Sequence, residues 1–153
     1  MAGVSFDSNV LIYAADRSDR RQRRAIEVLD RAAEGAGLLS LQALAEFFHV
    51  VTRKQIASRE MAEAQVDDWA KIYPIHRPDM ESFREAVGAT RRHAIPFWDA
   101  MLWATVKAAG CRFLLTEDLQ DGRDLEGVRF VNPFDTANDA AIELILPGPP
   151  ART

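Results

Sequence analysis

The stretch VSFDSNVLIYA (residues 4–14) decides how the chain is read: a short apolar run, one acid, two small polar residues, and then an apolar segment with helical spacing. Val4 to Phe6 read as a short buried strand, and the segment from about Val10 to Ala15 reads as a helix. Asp, Ser and Asn are all good helix caps, so the cap is the simplest account of Asp7. An acid directly beyond a buried strand also lies where parallel sheets collect functional groups, outside the carboxyl ends of their strands.

Working outward, the same alternation of strand and helix recurs. Arg20 to about Ala33 read as a helix with Ile26, Leu29, Ala32 and Ala33 on one side, stopped at Gly35. Gly37 to Ser40 read as a second strand leading into the helix LQALAEFFHVVTRK, and Arg59 to Ile72 as a helix carrying Met61, Val66, Trp69 and Ile72. Tyr73 to His76 read as a brief third strand between Pro74 and Pro78. A polar helix follows from Asp79 to His93. Next comes IPFWDAMLWATVKAAG, which is apolar nearly all round and therefore reads as buried. Arg112 to Thr116 and Val128 to Val131 are the last strands, separated by the polar loop EDLQDGRDLEG, and PGPPART has the composition of a disordered end. The class implied is α/β, with a mostly parallel sheet covered on both faces.

Composition narrows the function classes. With 153 residues, 48% of them hydrophobic, the chain suffices for one sizeable core. It contains no apolar run near the ~20 residues that span a bilayer and no secretory leader pattern, so a cytoplasmic protein that engages no membrane is expected. Cys111 is the only cysteine, which excludes an intrachain disulfide and argues for a small buried hydrophobe. The formal charge of −4 argues against broad nucleic-acid affinity, yet five arginines crowd into DRSDRRQRR: Arg17, Arg20, Arg21, Arg23 and Arg24. They form either a solvated helix face or a phosphate-contacting patch. Phosphate-binding, dinucleotide-binding, nucleophile-elbow and zinc motifs are all missing from the sequence.

Four acids fall at element ends. Besides Asp7, Glu46 lies on the helix after the second strand, where Leu41, Leu44, Phe48 and Val51 are expected to be buried and Gln42, Glu46, His49 and Arg53 to face the other way. Asp99 shares a side with Leu102 and Val106 in the most apolar helix, so it is either that helix's cap or a charge matched by a cation. Asp118 closely follows the RFLLT strand, near Glu117 and Asp121. Singly each acid reads as structural. Together they would crowd one rim of a parallel sheet and repel one another unless a cation sits among them. Oxygen ligands alone suit a hard ion, Mg²⁺ or Mn²⁺, whose chemistry on phosphoryl groups is hydrolysis.

FDSNVLIY, LQALAEFF, PFWDAMLWATVKAAG and LLTEDLQDG, in this order and spacing, resemble a PIN-domain ribonuclease of the VapC toxin type, from about Val4 to Phe134. The resemblance implies a three-layer α/β/α sandwich, with residues 1–135 as a single PIN-like nuclease domain and 136–153 as a short helix and disordered tail. It further implies that Asp7, Glu46 and Asp99 are the first three acids of a site for Mg²⁺ or Mn²⁺, that Asp118 is the fourth, and that Asn9 and Thr116 orient them. RNA hydrolysis by a metal-activated water, a homodimer and inhibition by a small cognate antitoxin are expected in turn. One departure stands out: Asp121 occupies a position where many members carry an aromatic, which leaves the fourth ligand open between Asp118 and Asp121. Basic help for RNA would come from Arg17 to Arg24. Two other classes compete: a receiver-like phosphotransfer domain, for which Lys107 is poorly placed, and a non-catalytic domain that binds RNA or protein.

Overall fold

A computed structural model of the chain describes residues 2–148. Its first strand, β1 (Gly3–Phe6), is followed by α1 (Ser8–Ala15), α2 (Gln22–Ala33), β2 (Leu39–Ser40), α3 (Leu41–Arg53), α4 (Arg59–Ile72) and β3 (Ile75–His76). Then come α5 (Met80–Arg92), α6 (Phe97–Ala108), β4 (Cys111–Leu115), β5 (Asp124–Leu125), β6 (Val128–Val131) and α7 (Asp139–Ile145). Most helices begin at a side-chain cap. Asp7, Ser40, Ser58 and Asp79 each accept a backbone N–H from the first turn of α1, α3, α4 and α5.

The sheet is parallel where the alternation predicts it. β1, β4 and β6 pair in parallel, with β1 and β6 on either side of β4. β2 and β3 form a parallel pair that joins the far edge of β1 through a bridge between Val4 and Gly37. At Gly37 the chain passes so close to α2 that a Cβ would sit 2.6 Å from the Ala32 carbonyl oxygen, which only glycine avoids.

Two apolar cores cover the two sheet faces. Val4, Phe6, Leu39, Leu115 and Val131 point into the first, against α1, α2, α3, α4 and α7. Leu38, Leu114, Val128 and Phe130 point into the second, against α5 and α6. This is the expected α/β/α layering. α6 is the buried helix its composition implies, with Ala100 to Val106 all buried, and the indole of Trp103 donates to the Leu125 carbonyl at 3.0 Å. Cys111 is also buried, which pushes its thiol up to about 12 and keeps it inert. No described helix is long and apolar enough to cross a membrane.

Several local expectations are corrected. α1 starts at Ser8 rather than Val10, and α2 at Gln22 rather than Arg20, because Asp19 binds the Arg21 N–H at 2.8 Å in a turn before the helix. On α2 the buried side is Ala25, Val28, Leu29 and Ala32, leaving Ile26 exposed. On α3 it is Ala43, Leu44, Phe47 and Val51, which leaves Leu41 exposed and Phe48 half-buried. On α4, Ala62 and Trp69 are buried while Met61 and Ile72 are exposed. The polar loop EDLQDGRDLEG holds an extra strand, β5, antiparallel to β6 across a two-residue turn. Glu126 and Gly127 both have positive φ there, 50° and 94°, the backbone that matches the twist of a tight hairpin. Of the expected disordered end, residues 149–153 lie outside the described residues.

Candidate active site

The elements bring Asp7, Glu46, Asp99 and Asp118 to the carboxyl edge of the parallel sheet. Asp7 leaves the end of β1 and Asp118 follows β4, while Glu46 and Asp99 project from α3 and from the first turn of α6. Asp7 is 7% exposed and held from two sides: the Ser8 N–H donates to its Oδ1 at 2.7 Å and the Thr116 hydroxyl to its Oδ2 at 2.8 Å. It is therefore both a helix cap and a member of the cluster. Thr116 Oγ1 also accepts the Asp118 N–H at 3.2 Å, so one hydroxyl sets the geometry of two acids. Glu46 is fixed by the Ser8 hydroxyl at 2.8 Å and by the Gln42 amide at 2.8 Å.

The electrostatics of the four acids are those of a site short of positive charge. Burial raises the Asp7 carboxyl to about 6, with Glu46 and Asp118 adding to the rise and the Thr116 and Ser8 hydrogen bonds working against it. Asp99 is raised by burial first, then by Asp118 and Glu46. The helix cap of α6 is Pro96 rather than Asp99, which removes the simplest structural reason for an acid there. Among the described residues no ion pair involves Asp7, Glu46, Asp99 or Asp118. Neighbouring Glu117 differs in this respect: both its oxygens are bound by Arg21, at 2.8 and 3.0 Å, and the Tyr13 hydroxyl adds a third bond at 2.8 Å.

Among the described residues no three His, Cys, Asp or Glu side chains stand close enough together to hold an ion without moving. In chemistry the donor set fits a hard divalent cation: carboxylate oxygens only, uncompensated and coupled to one another.

The other predicted residues divide. Asp121 turns away from the acids: its carboxylate takes the Asn132 N–H at 2.9 Å and both its oxygens bind the Asn138 amide, at 3.0 and 2.9 Å. Asn9 touches none of the four carboxylates. Its Oδ1 accepts the Glu117 N–H at 3.4 Å, and its buried amide nitrogen has no partner among the described residues. Arg21 is committed internally to Asp19 and Glu117, with its guanidinium 3.7 Å above the Tyr13 ring. Arg24 binds the Pro133 carbonyl, Glu27 and Asp139. Arg17, Arg20 and Arg23 remain exposed.

Ser8 and Gln42 are the site residues that sequence reasoning missed as holders of Glu46. Gln42 precedes Glu46 by four positions on one helix face, which was a usable signal. The contact from Ser8 depends on how α1 and α3 pack, and nothing local announces it. Lys107 pairs with Glu85 and lies 4.8 Å from the Trp103 ring. It stands eight residues along α6 from Asp99, roughly 12 Å at 1.5 Å per residue, and does not serve the acids.

An α/β/α sandwich with one carboxylate-rich rim defines the class, and residues 4–130 match the PIN domain family, to which the chain belongs. Solved structures agree on the fold. A toxin–antitoxin complex from Klebsiella pneumoniae aligns with a TM-score of 0.66 at 20% identity, covering 87% of this chain and 99% of that one. VapC20 of Mycobacterium tuberculosis, described as a sarcin–ricin loop cleaving toxin, gives 0.63 at 16%, covering 76% and 90%. FitAcB from Neisseria gonorrhoeae gives 0.59 at 18%, covering 85% and 97%. No curated protein matches the sequence.

Proposed function

We propose that the protein is a divalent-metal-dependent endoribonuclease of the VapC type, acting as the toxin of a type II toxin–antitoxin pair in the cytoplasm. The observation that carries this reading is the set of four carboxylates at one sheet edge, with no ion pair to any of them among the described residues and with Glu46 and Asp118 both close enough to raise Asp7 and Asp99. Asp7, Glu46, Asp99 and Asp118 would hold Mg²⁺ or Mn²⁺. Asp121, engaged by Asn132 and Asn138, shapes the loop instead. When bound, the ion supplies an activated water and charge stabilisation on the phosphoryl oxygen. The chain's own residues do the orienting: Thr116 aligns Asp7 with the Asp118 backbone, Ser8 and Gln42 aim Glu46, and Arg21 locks Glu117 beside Asp118. Exposed Arg17, Arg20 and Arg23, which form no ion pair among the described residues, are the cations of the arginine cluster that would meet RNA phosphates.

The solved structures from Klebsiella and two others are toxin–antitoxin or FitAB-type assemblies, which supports a small antitoxin as the partner. Met80, Phe83 and Val87 are exposed at helical spacing on α5, and such an apolar stripe suits a protein partner or a second copy of the chain. Incubating the purified protein with end-labelled single-stranded RNA tests the activity. Internal cleavage in Mg²⁺ or Mn²⁺, stopped by EDTA, is expected. Intact RNA in both metals, across a panel of structured and unstructured substrates, would sink the proposal.

Thr116→Val removes the hydroxyl shared by two acids without changing side-chain shape. Cleavage is expected to drop about 10- to 100-fold, the usual effect of losing a group that orients a metal ligand. Thr116→Ser restores most of the rate if orientation is the role. Loss in Thr116→Ser with a wild-type rate in Thr116→Val would show that the methyl group's packing matters instead.

A further inference from the structure

Beside the acids, between α3 and the start of α6, lies a hollow of about 730 Å³ floored by Leu41, Ala45 and Met101. Its wall is Trp98, the residue before Asp99. This indole is 64% exposed, whereas Trp69 and Trp103 are 6% and 0% exposed. The ring is propped by Phe97 at 5.1 Å, and Phe97 by Phe83 at 6.0 Å, both edge to face.

We propose that this hollow takes one unpaired nucleobase of the RNA, stacked on Trp98, next to the phosphate that the acids engage; the proposal rests on the ribonuclease reading above. Continuity with the site argues for it. Glu46 lines the hollow as well as the acid cluster. The Gln42 amide donates to Glu46 at 2.8 Å and to the Trp98 carbonyl at 2.9 Å, tying the acid and the wall into one unit. Whatever fills the hollow is therefore an immediate neighbour of whatever the acids hold, and in a nucleotide chain a base and its phosphate are joined through a single sugar. The volume falls in the range of small-ligand pockets. Gln42, with its amide hydrogens spent, offers its carbonyl oxygen to a base edge, and exposed His49 offers a second polar contact. Every base has an aromatic face, and stacking requires one that is not already paired within a helix.

Trp98 is the tryptophan that a ligand can contact and quench, because the other two are buried. In EDTA, a mixed-sequence single-stranded hexaribonucleotide is expected to quench the protein's fluorescence saturably, and the same strands annealed to their complements are not. In Mg²⁺ or Mn²⁺, Trp98→Ala is expected to raise KM about tenfold with kcat changed less than threefold, the loss of one base stack. Trp98→Phe, which keeps a stacking face, restores KM. An unchanged KM in Trp98→Ala, or no quenching of the wild type, overturns the base site while leaving the ribonuclease reading intact. Quenching without cleavage of any RNA by the wild type keeps the base site and removes the ribonuclease reading. Loss of antitoxin binding in Trp98→Ala with an unchanged KM assigns the hollow to the protein partner and overturns the proposal.

Discussion

Asp7→Asn is expected to abolish metal-dependent RNA cleavage and, in the metal-free protein at pH 7, to raise the melting temperature. The loss should exceed about a hundredfold, because groups that only orient metal ligands already cost 10- to 100-fold when removed. The gain follows from the environment of the carboxyl. It is 7% exposed, close to Glu46 and Asp118, and its proton affinity is raised to about 6. Holding it ionised at pH 7 opposes folding by roughly 3 kcal/mol, since its proton affinity rises from 3.8 to about 6 on folding. An asparagine keeps the shape and carries no charge. Its carbonyl still accepts the Ser8 N–H, and its amide can donate to Thr116, whose oxygen has two lone pairs. At about 2–4 °C per kcal/mol for a domain of this size, a rise of roughly 5–10 °C is expected. Calorimetry and a cleavage assay on the same preparation check both halves. A variant that is inactive and also less stable would mean that Asp7 is chiefly a cap. Asp99→Asn should lose activity similarly, and as a more exposed group it should gain less stability.

Features that depend on local pattern alone were legible in the sequence, and those that depend on docking were not. The strands, the buried helix α6 and the acids at element ends follow from apolar runs and from the position of charges beyond them, and neither signal needs tertiary information. The helix faces were harder. Ile26, Leu41, Met61 and Ile72 look like core residues and are exposed, whereas Ala25, Ala43 and Ala62 are buried. Close packing of helices on a sheet favours small side chains at the contact, so a reading weighted by hydrophobicity turns the wheel the wrong way. β5 escaped because its Asp124 and Leu125 are too few to show alternation, and its Glu-Gly turn lacks the asparagine that usually announces such a hairpin. At the site, each acid could be found from its place beyond a strand or within a helix. Their partners could not. That Ser8 serves Glu46, that Arg21 serves Glu117, and that Asp121 faces Asn138 rather than the acids are consequences of how distant segments dock.

In the metal-free protein, stability is expected to fall as pH rises from about 4 to about 6, and saturating Mn²⁺ is expected to remove that fall. The sign follows from the proton affinities. Asp7 binds its proton more tightly when folded, at about 6, than when unfolded, at 3.8, so its stabilising contribution is complete below 3.8 and is lost as pH passes through 6. Asp99 is shifted in the same direction. Groups shifted the other way act in a lower window and with the opposite sign: Asp19, held down to about 2 by Arg21, and Asp79 and Glu126, held below 3.8 and 4.5, have their effect by about pH 5.5, roughly one unit above the highest of those values. The descent above about pH 5.5 therefore belongs to Asp7 and Asp99. A bound divalent ion favours their ionised form and contributes about 2.7 kcal/mol at a hundred times its dissociation constant. That contribution should be large at pH 7 and small at pH 4.5, where protons compete for the same oxygens. Urea or thermal unfolding at both pH values, with and without Mn²⁺, measures all four corners. A flat metal-free profile between pH 4.5 and 7, or an equal Mn²⁺ effect at both, would show that the four acids do not act as one ion site.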